Sequence, residues 1–356
     1  MANTVCIKEI QLKNFRCFEN VTFSLDAPVV FIEGSNGSGK TSLLEAIHYL
    51  CYMRSFRTHI PQDLVHFGTD TFFLGAMLDN DHLTIGLRGT KRQVKINKKV
   101  ITSYKELRTL CKVITVTQDD ADIVTGSPEK RRLFLDHALI LHDDQLIETM
   151  KLFRRILETR NAFLFQGGTQ DEFEIWTYKL WETSRKIQQA RTDFLKLIVE
   201  QGKTIKGFFL DSHTFSITYQ TKHLLLSESY ETFFKNSQKL FEKERYFKRS
   251  CFGAHLDDIE ILFNDKPARM FSSRGQQKLL TLFLKIAQVL SLTSLYGPVI
   301  FLIDDFLSDF DTPTLFRILQ NCLILPVQII FTSPLSSGPE QMALSNLNTS
   351  FLKISI

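Results

Sequence analysis

Hydrophobic and polar positions along this chain change period several times, and each change predicts an element. Val5 to Leu12 roughly alternate, the period of a half-buried strand. Val29-Val30-Phe31-Ile32 is a short apolar run bounded by Pro28 and Gly34, which reads as a buried strand. Over Thr41 to Met53, the positions Leu43, Leu44, Ile47 and Leu50 recur at helical spacing. From Phe72 to Val116 short segments return, among them a hairpin with Val94-Lys95-Ile96 leading into Asn97-Lys98.

The stretch from Glu129 to about Lys206 is different. It is long, polar-rich and free of Pro, and it carries Leu152, Ile156, Phe163, Leu180, Ile187, Phe194 and Ile198. This predicts two or more long helices, interrupted near Gly167-Gly168, that form an inserted arm. Heptads are not sustained well enough for a long coiled coil. A partly helical stretch continues to Arg249, and two apolar strands follow, Val299 to Ile303 and Val327 to Phe331.

Composition narrows the class. With 356 residues, 44% hydrophobic and 23% charged, the chain can bury a sizeable core in two domains, or in one with an insertion. A net charge of +4 does not by itself signal a nucleic-acid binder. Between Lys151 and Arg249, however, 18 basic residues face 12 acidic ones, and the surplus of +6 leaves the remainder slightly acidic. A solvated helical face is the ordinary reading of such an excess. The six cysteines are scattered and form no CxxC pair, so neither a disulfide framework nor a zinc site is signalled, and free thiols fit a reducing cytosol. The first residues lack the apolar core of a leader, and no apolar run approaches the roughly 20 residues that span a bilayer. The expectation is a cytoplasmic protein with no membrane partner.

Three motifs carry chemistry. Gly34-Ser35-Asn36-Gly37-Ser38-Gly39-Lys40-Thr41 fits GxxxxGK[ST] between a strand and a helix. Glycines let successive N–H groups curl around phosphate oxygens, and the helix N-terminus adds a favourable dipole. Lys40 brings a mobile charge to the outer phosphates and Thr41 a hydroxyl for Mg²⁺, so ATP with Mg²⁺ is the expected ligand. Asp304-Asp305 end an apolar strand, where α/β sheets bind ligands, and adjacent carboxylates repel unless a cation is present. Asp304 is assigned to the metal and Asp305 to polarising the attacking water. Gln118 is placed as a further ligand near the metal.

Ser272-Ser273-Arg274-Gly275-Gln276 stands 23 residues before the second motif's strand and opens an apolar helix from Lys278 to Leu290. It resembles the signature of ABC ATPases. Ser273, Gly275 and Gln276 at a helix N-terminus would form an anion site for a nucleotide held by a second subunit. A plain helix cap is the alternative. Ser308-Asp309-Phe310-Asp311 looks like the loop that crosses such an interface, and Thr332-Ser333 occupy the switch position where many relatives have His.

Several segments together resemble the RecF family, in the SMC-like branch of the ABC ATPases. They are the opening Leu12 to Asn20, Arg54-Ser55-Phe56-Arg57-Thr58, Gly126-Ser127-Pro128 with Arg131-Arg132 and Phe134-Leu135-Asp136, Ser273 to Lys278, and Asp304-Asp305 with Ser308-Asp309. Two segments depart from the family pattern: Gly253 to Asp258 lacks a Pro and an Arg, and Val116 to Asp120 replaces FxPED. The resemblance implies an α/β fold: an ABC-type ATPase head over 1–128 and 251–356, with a helical arm lobe at 129–250. It implies ATP-dependent homodimerisation, slow DNA-dependent ATP hydrolysis, DNA binding, and RecO- and RecR-like partners in recombinase loading. Arg54 and Arg57, the hairpin residues Lys95, Lys98 and Lys99, and basic residues of the arm are the candidate DNA contacts. Two rivals are a transporter's ATPase subunit and a scaffold that binds nucleotide with negligible hydrolysis. The roughly 230 residues between the phosphate loop and the signature exceed what transporter subunits use, and no NKxD motif for guanine is present.

Overall fold

The computed structural model describes residues 7–102, 106–107, 110, 112–209, 214–223, 225–296, 299–307, 310–334 and 351–356. Two compact units emerge, one of Met1–Asp120, Ile205–Asp211 and Leu282–Ile356, the other of Ala121–Thr204 and Ser212–Thr281.

In the first unit the alternating N-terminal pattern becomes β1 (Glu9–Phe15), four residues later than Val5 and three longer than Leu12, with Ile10, Leu12 and Phe15 turned inward. It pairs antiparallel with β2 (Phe18–Ser24). The apolar run becomes β3 (Val29–Gly34), buried throughout, and the helical spacing becomes α1 (Lys40–Tyr52). Strands β4 (Thr71–Leu78), β5 (Asp81–Arg88), β6 (Lys91–Ile96) and β7 (Lys99–Val100) complete a six-stranded antiparallel sheet, ordered β2-β1-β4-β5-β6-β7. Asn97 and Lys98 join the last two strands with positive φ of 50° and 69°, the backbone of a two-residue turn that matches strand twist. A further short buried strand, β8 (Lys112–Val116), follows.

The second unit holds the long helices α2 (Pro128–His142) and α3 (Gln145–Gln166) and, up to Thr204, α4 (Gln170–Phe209). Gly167, with φ 84°, ends α3 where the Gly pair signalled a break. Strand β9 (Phe215–Gln220), helices α5 (Tyr230–Asn236) and α6 (Gln238–Phe247), and strands β10 (Asp258–Phe263) and β11 (Lys266–Pro267) follow. The three strands form an antiparallel sheet that the helical reading of this region did not include. An aromatic-rich core of Phe153, Phe173, Trp181, Phe233, Phe241 and Phe252 surrounds a wholly buried ion pair, Arg160 Nη2 to Glu244 Oε2 at 2.6 Å. Thr177 and Ser250 also accept from that guanidinium, so the buried charge is fully engaged.

Helix α7 (Arg274–Tyr296) is long and apolar enough to meet the length and composition of a membrane span. Its most apolar window is 67% buried inside the protein, so that apolarity serves the core. Strand β12 (Val299–Ile303), helix α8 (Thr312–Leu323), β13 (Gln328–Pro334) and β14 (Leu352–Ser355) complete the chain. A five-stranded parallel sheet runs β14-β3-β13-β12-β8. Its inner strands β3, β13 and β12 carry long apolar runs because a parallel sheet is covered on both faces, whereas β14 at the edge alternates between half-buried and exposed positions.

Candidate active site

Parallel strands place all their C-terminal ends along one edge, and the candidate residues of the first unit leave the sheet there. The phosphate loop leaves β3, Gln118 follows β8, Asp304-Asp305 follow β12, and Thr332 lies within the last residues of β13. Residues 263 positions apart thereby touch: Thr41 Oγ1 donates to Asp304 Oδ1 at 3.0 Å.

The loop has little room for side chains. A Cβ on Gly34 would collide with Ser38 Oγ and lie 2.6 Å from the Ile356 carbonyl oxygen. Gly39, the N-cap of α1, has φ 113°, and a Cβ there would lie 2.7 Å from both Cys17 Sγ and the Phe18 ring. Lys40 Nζ donates to the carbonyls of Gly34 and Ser35, at 2.6 and 2.9 Å. The Ser38 hydroxyl oxygen is buried with no hydrogen-bond partner among the described residues, which suits a ligand acceptor at the loop.

The paired acids are held differently from each other. Asp304 Oδ1 accepts from both Thr41 and Thr332, each at 3.0 Å. Burial pushes the Asp304 carboxyl above its ordinary value, aided by the neighbouring Asp305 charge and opposed by the two hydroxyls and by Arg57. Asp305 has a left-handed backbone, φ 46°, tied on both sides. Its N–H donates to Thr332 Oγ1 at 2.9 Å, and its carbonyl accepts from Gln118 Nε2. Thr332 therefore bridges the two acids, and Gln118 is anchored beside them. The Gln118 turn is clamped in its turn: Asp120 accepts from Thr117 and pairs with Lys285 of α7 at 2.6 Å.

Glu45 was not legible as a site residue. Its side chain is fully buried on α1, where it accepts a two-pronged pair from Arg16 (Nε 2.8 Å, Nη2 2.7 Å), the Ser55 hydroxyl, and Arg57 Nη1 at 3.4 Å. A charged residue interrupting the buried face of the helix after the phosphate loop was the available signal. Of the candidate DNA contacts, Arg57 is thus paired with Glu45, while Arg54, Lys98 and Lys99 are exposed and Lys95 half-buried.

In the second unit Ser273 and Gln276 form a reciprocal cap at the start of α7. Ser273 N–H donates to Gln276 Oε1 at 2.8 Å, and Gln276 N–H to Ser273 Oγ at 3.3 Å. A plain cap and a signature serine both fit this geometry, and Gly275 is exposed beside it, with open space where a Cβ would stand. The motif near Pro128 meets the divergent Gly253–Asp258 segment: Arg131 forks onto Asp258 at 2.6 and 2.9 Å, and Arg132 donates to the Asp257 carbonyl. Ser308 and Asp309 lie outside the described residues.

A phosphate loop leaving β3 of a parallel sheet, with paired acids after β12 two strands away, defines an ABC-type ATPase head. The chain belongs to the AAA-domain family, whose model matches residues 9–266. It resembles the DNA replication and repair protein RecF of Bacillus thuringiensis strain Al Hakam, with 29% identity over 96% of each chain, and that of Bacillus cereus strain B4264 to the same extent. A solved structure of RecF-ATP, a recombination mediator protein of the RecFOR pathway, shares the fold with a TM-score of 0.80 and 24% identity, covering 95% of this chain and 94% of that one. An SMC head bound to the C-terminal winged-helix domain of ScpA has a TM-score of 0.54 at 12% identity, covering 95% and 92%. The expected fold, an ABC-type head with an inserted lobe, is borne out.

Proposed function

We propose that this chain is a RecF-like switch of DNA repair: it binds ATP, dimerises around it, holds DNA while dimeric, and releases DNA on slow hydrolysis. One observation carries the reading. The phosphate-loop hydroxyl of Thr41 sits 3.0 Å from Asp304, while Gln118 and Thr332 hold the backbone of Asp305 next door.

The donor set fits Mg²⁺. Among the described residues no group of three or more His, Cys, Asp or Glu could hold a metal by itself. Thr41 and Asp304 supply one hydroxyl and one carboxylate, the small protein share that Mg²⁺ takes when phosphate oxygens and waters fill the rest. When bound, the ion would neutralise charge on the phosphate oxygens. Lys40 would exchange its two carbonyl acceptors for phosphate oxygens, a charge-assisted bond worth about 1.5–3 kcal/mol. Asp305, with its backbone fixed, would orient the attacking water.

Dimerisation rests on Ser273, Gly275 and Gln276, which in the proposal meet the outer phosphate bound by a second copy. Losing several such bonds at two sites on hydrolysis would shift the dimer by orders of magnitude. The curated relatives' role in DNA replication and repair, and the RecFOR pathway of the solved relative, support DNA with RecO- and RecR-like proteins as the partners. A reducing cytosol fits Cys17, Cys51, Cys251 and Cys322, which stand outside any disulfide.

Sedimentation of the full chain with and without Mg·ATP, on single-stranded, duplex and gapped DNA, tests the reading. An ATP-dependent dimer that binds DNA is expected. A chain that stays monomeric under all of these conditions would overturn it.

A further inference from the structure

The end of α6 exposes aromatic rings among cations. Tyr246 is 82% exposed, Phe247 54%, and Phe165, at the end of α3, 67%. Such rings are normally turned inward, and here the core has taken their neighbours instead: Phe241, Glu244 and Ser250 are buried on either side. The rings also stand beside positive charge. Lys248 Nζ lies 4.9 Å from the centre of the Phe165 ring, and the Arg249 guanidinium carbon 6.0 Å from that of Phe247. Tyr246 and Phe247 meet edge to face at 5.1 Å.

The patch is built firmly. Lys248 caps α6 in the left-handed conformation, φ 52°, and its N–H returns to the Glu244 carbonyl. Glu244 is held by the buried Arg160, and Ser250 N–H donates to Asn161 Oδ1 at 2.8 Å. Of the acids in this segment, Glu244 is buried and paired, which leaves Glu242 exposed against Lys243, Arg245, Lys248 and Arg249.

We infer that Tyr246 and Phe247, with Lys248 and Arg249, form a stacking platform for single-stranded nucleic acid on the second unit. Unpaired bases offer π-faces to the rings, and the phosphates between them meet the flanking cations, the combination that single-strand binders use without reading sequence. Duplex DNA keeps its bases stacked on each other and offers this patch only its phosphates. The inference rests on the DNA-binding part of the proposed function and adds where, and in which form, the strand is held.

Fluorescence anisotropy of the full chain with Mg·ATP tests it, with end-labelled oligo(dT) and a duplex of equal length. Replacing both rings, Tyr246→Ala with Phe247→Ala, is expected to weaken the oligo(dT) complex about tenfold or more and the duplex complex by less than about twofold. Tyr246→Trp with Phe247→Trp keeps the π-faces and is expected to retain the wild-type affinity for oligo(dT), which separates lost stacking from lost folding. If the alanine variant binds oligo(dT) as wild type does, the platform is wrong and the patch is a protein-facing surface, while the proposed function stands. If wild type binds neither DNA, the DNA-binding part of the proposed function fails and the platform with it.

Discussion

Thr332 Oγ1 donates to the carboxylate of Asp304 and accepts from the N–H of Asp305, so one hydroxyl sets the spacing of two adjacent acids. Thr332→Val keeps the shape and removes both bonds. We expect hydrolysis to fall by about one to two orders of magnitude while ATP affinity changes little, because the lost bonds position the acids and do not touch the phosphates. Single-turnover rates alongside nucleotide titration check the split.

Asp304 is strained by burial. A carboxyl held above its ordinary value costs stability once it ionises, so the loss appears as pH rises through the carboxylate range and is absent below it. Asp304→Asn, which still accepts from Thr41 and Thr332, is therefore expected to melt higher than wild type at neutral pH without nucleotide. The gap should close on acidification, and hydrolysis should be lost. A variant that melts below wild type at neutral pH contradicts the burial argument.

Glu45 receives Arg16, Ser55 and Arg57 on a fully buried carboxylate. Glu45→Ala leaves the Arg16 guanidinium without its carboxylate, with only the Asp63 carbonyl to donate to, and should cost about 3–5 kcal/mol in chemical denaturation. Because the Arg54–Thr58 segment loses its anchor as well, its protease sensitivity should rise in limited proteolysis.

Ser273 caps α7, which confounds the usual variants. Ser273→Asp preserves the cap and complements the helix dipole, yet adds negative charge where the proposal places a phosphate. The monomer should keep its melting temperature and its ATP affinity, while the ATP-induced dimer disappears in sedimentation. A normal ATP-induced dimer would remove Ser273 from the interface.

His255, half-buried in the divergent Gly253–Asp258 segment, is pushed down to about 4, chiefly by desolvation. The unfolded chain takes up this proton near pH 6.5, so stability is lost as pH falls from there and levels off below about 4, for up to about 3 kcal/mol. His255→Gln should flatten that part of the stability–pH curve, measured by urea denaturation at successive pH values.

Local patterns were enough for the phosphate loop, the helix behind it and the buried parallel strands, because close packing on both faces leaves long apolar runs in the sequence. The Gly167-Gly168 break was legible for a similar reason: a single residue at φ 84° suffices to end a helix. The sheet β9-β10-β11 was not legible, since its strands are short and come from segments about 40 residues apart. Nor was Glu45, whose meaning lies in Arg16, 29 positions away. A sequence carries period and residue type. Which hydroxyl reaches which carboxylate was decided only when parallel strands brought their ends to one edge, and that Arg16 is spent on a buried acid only when the β1–β2 turn met α1.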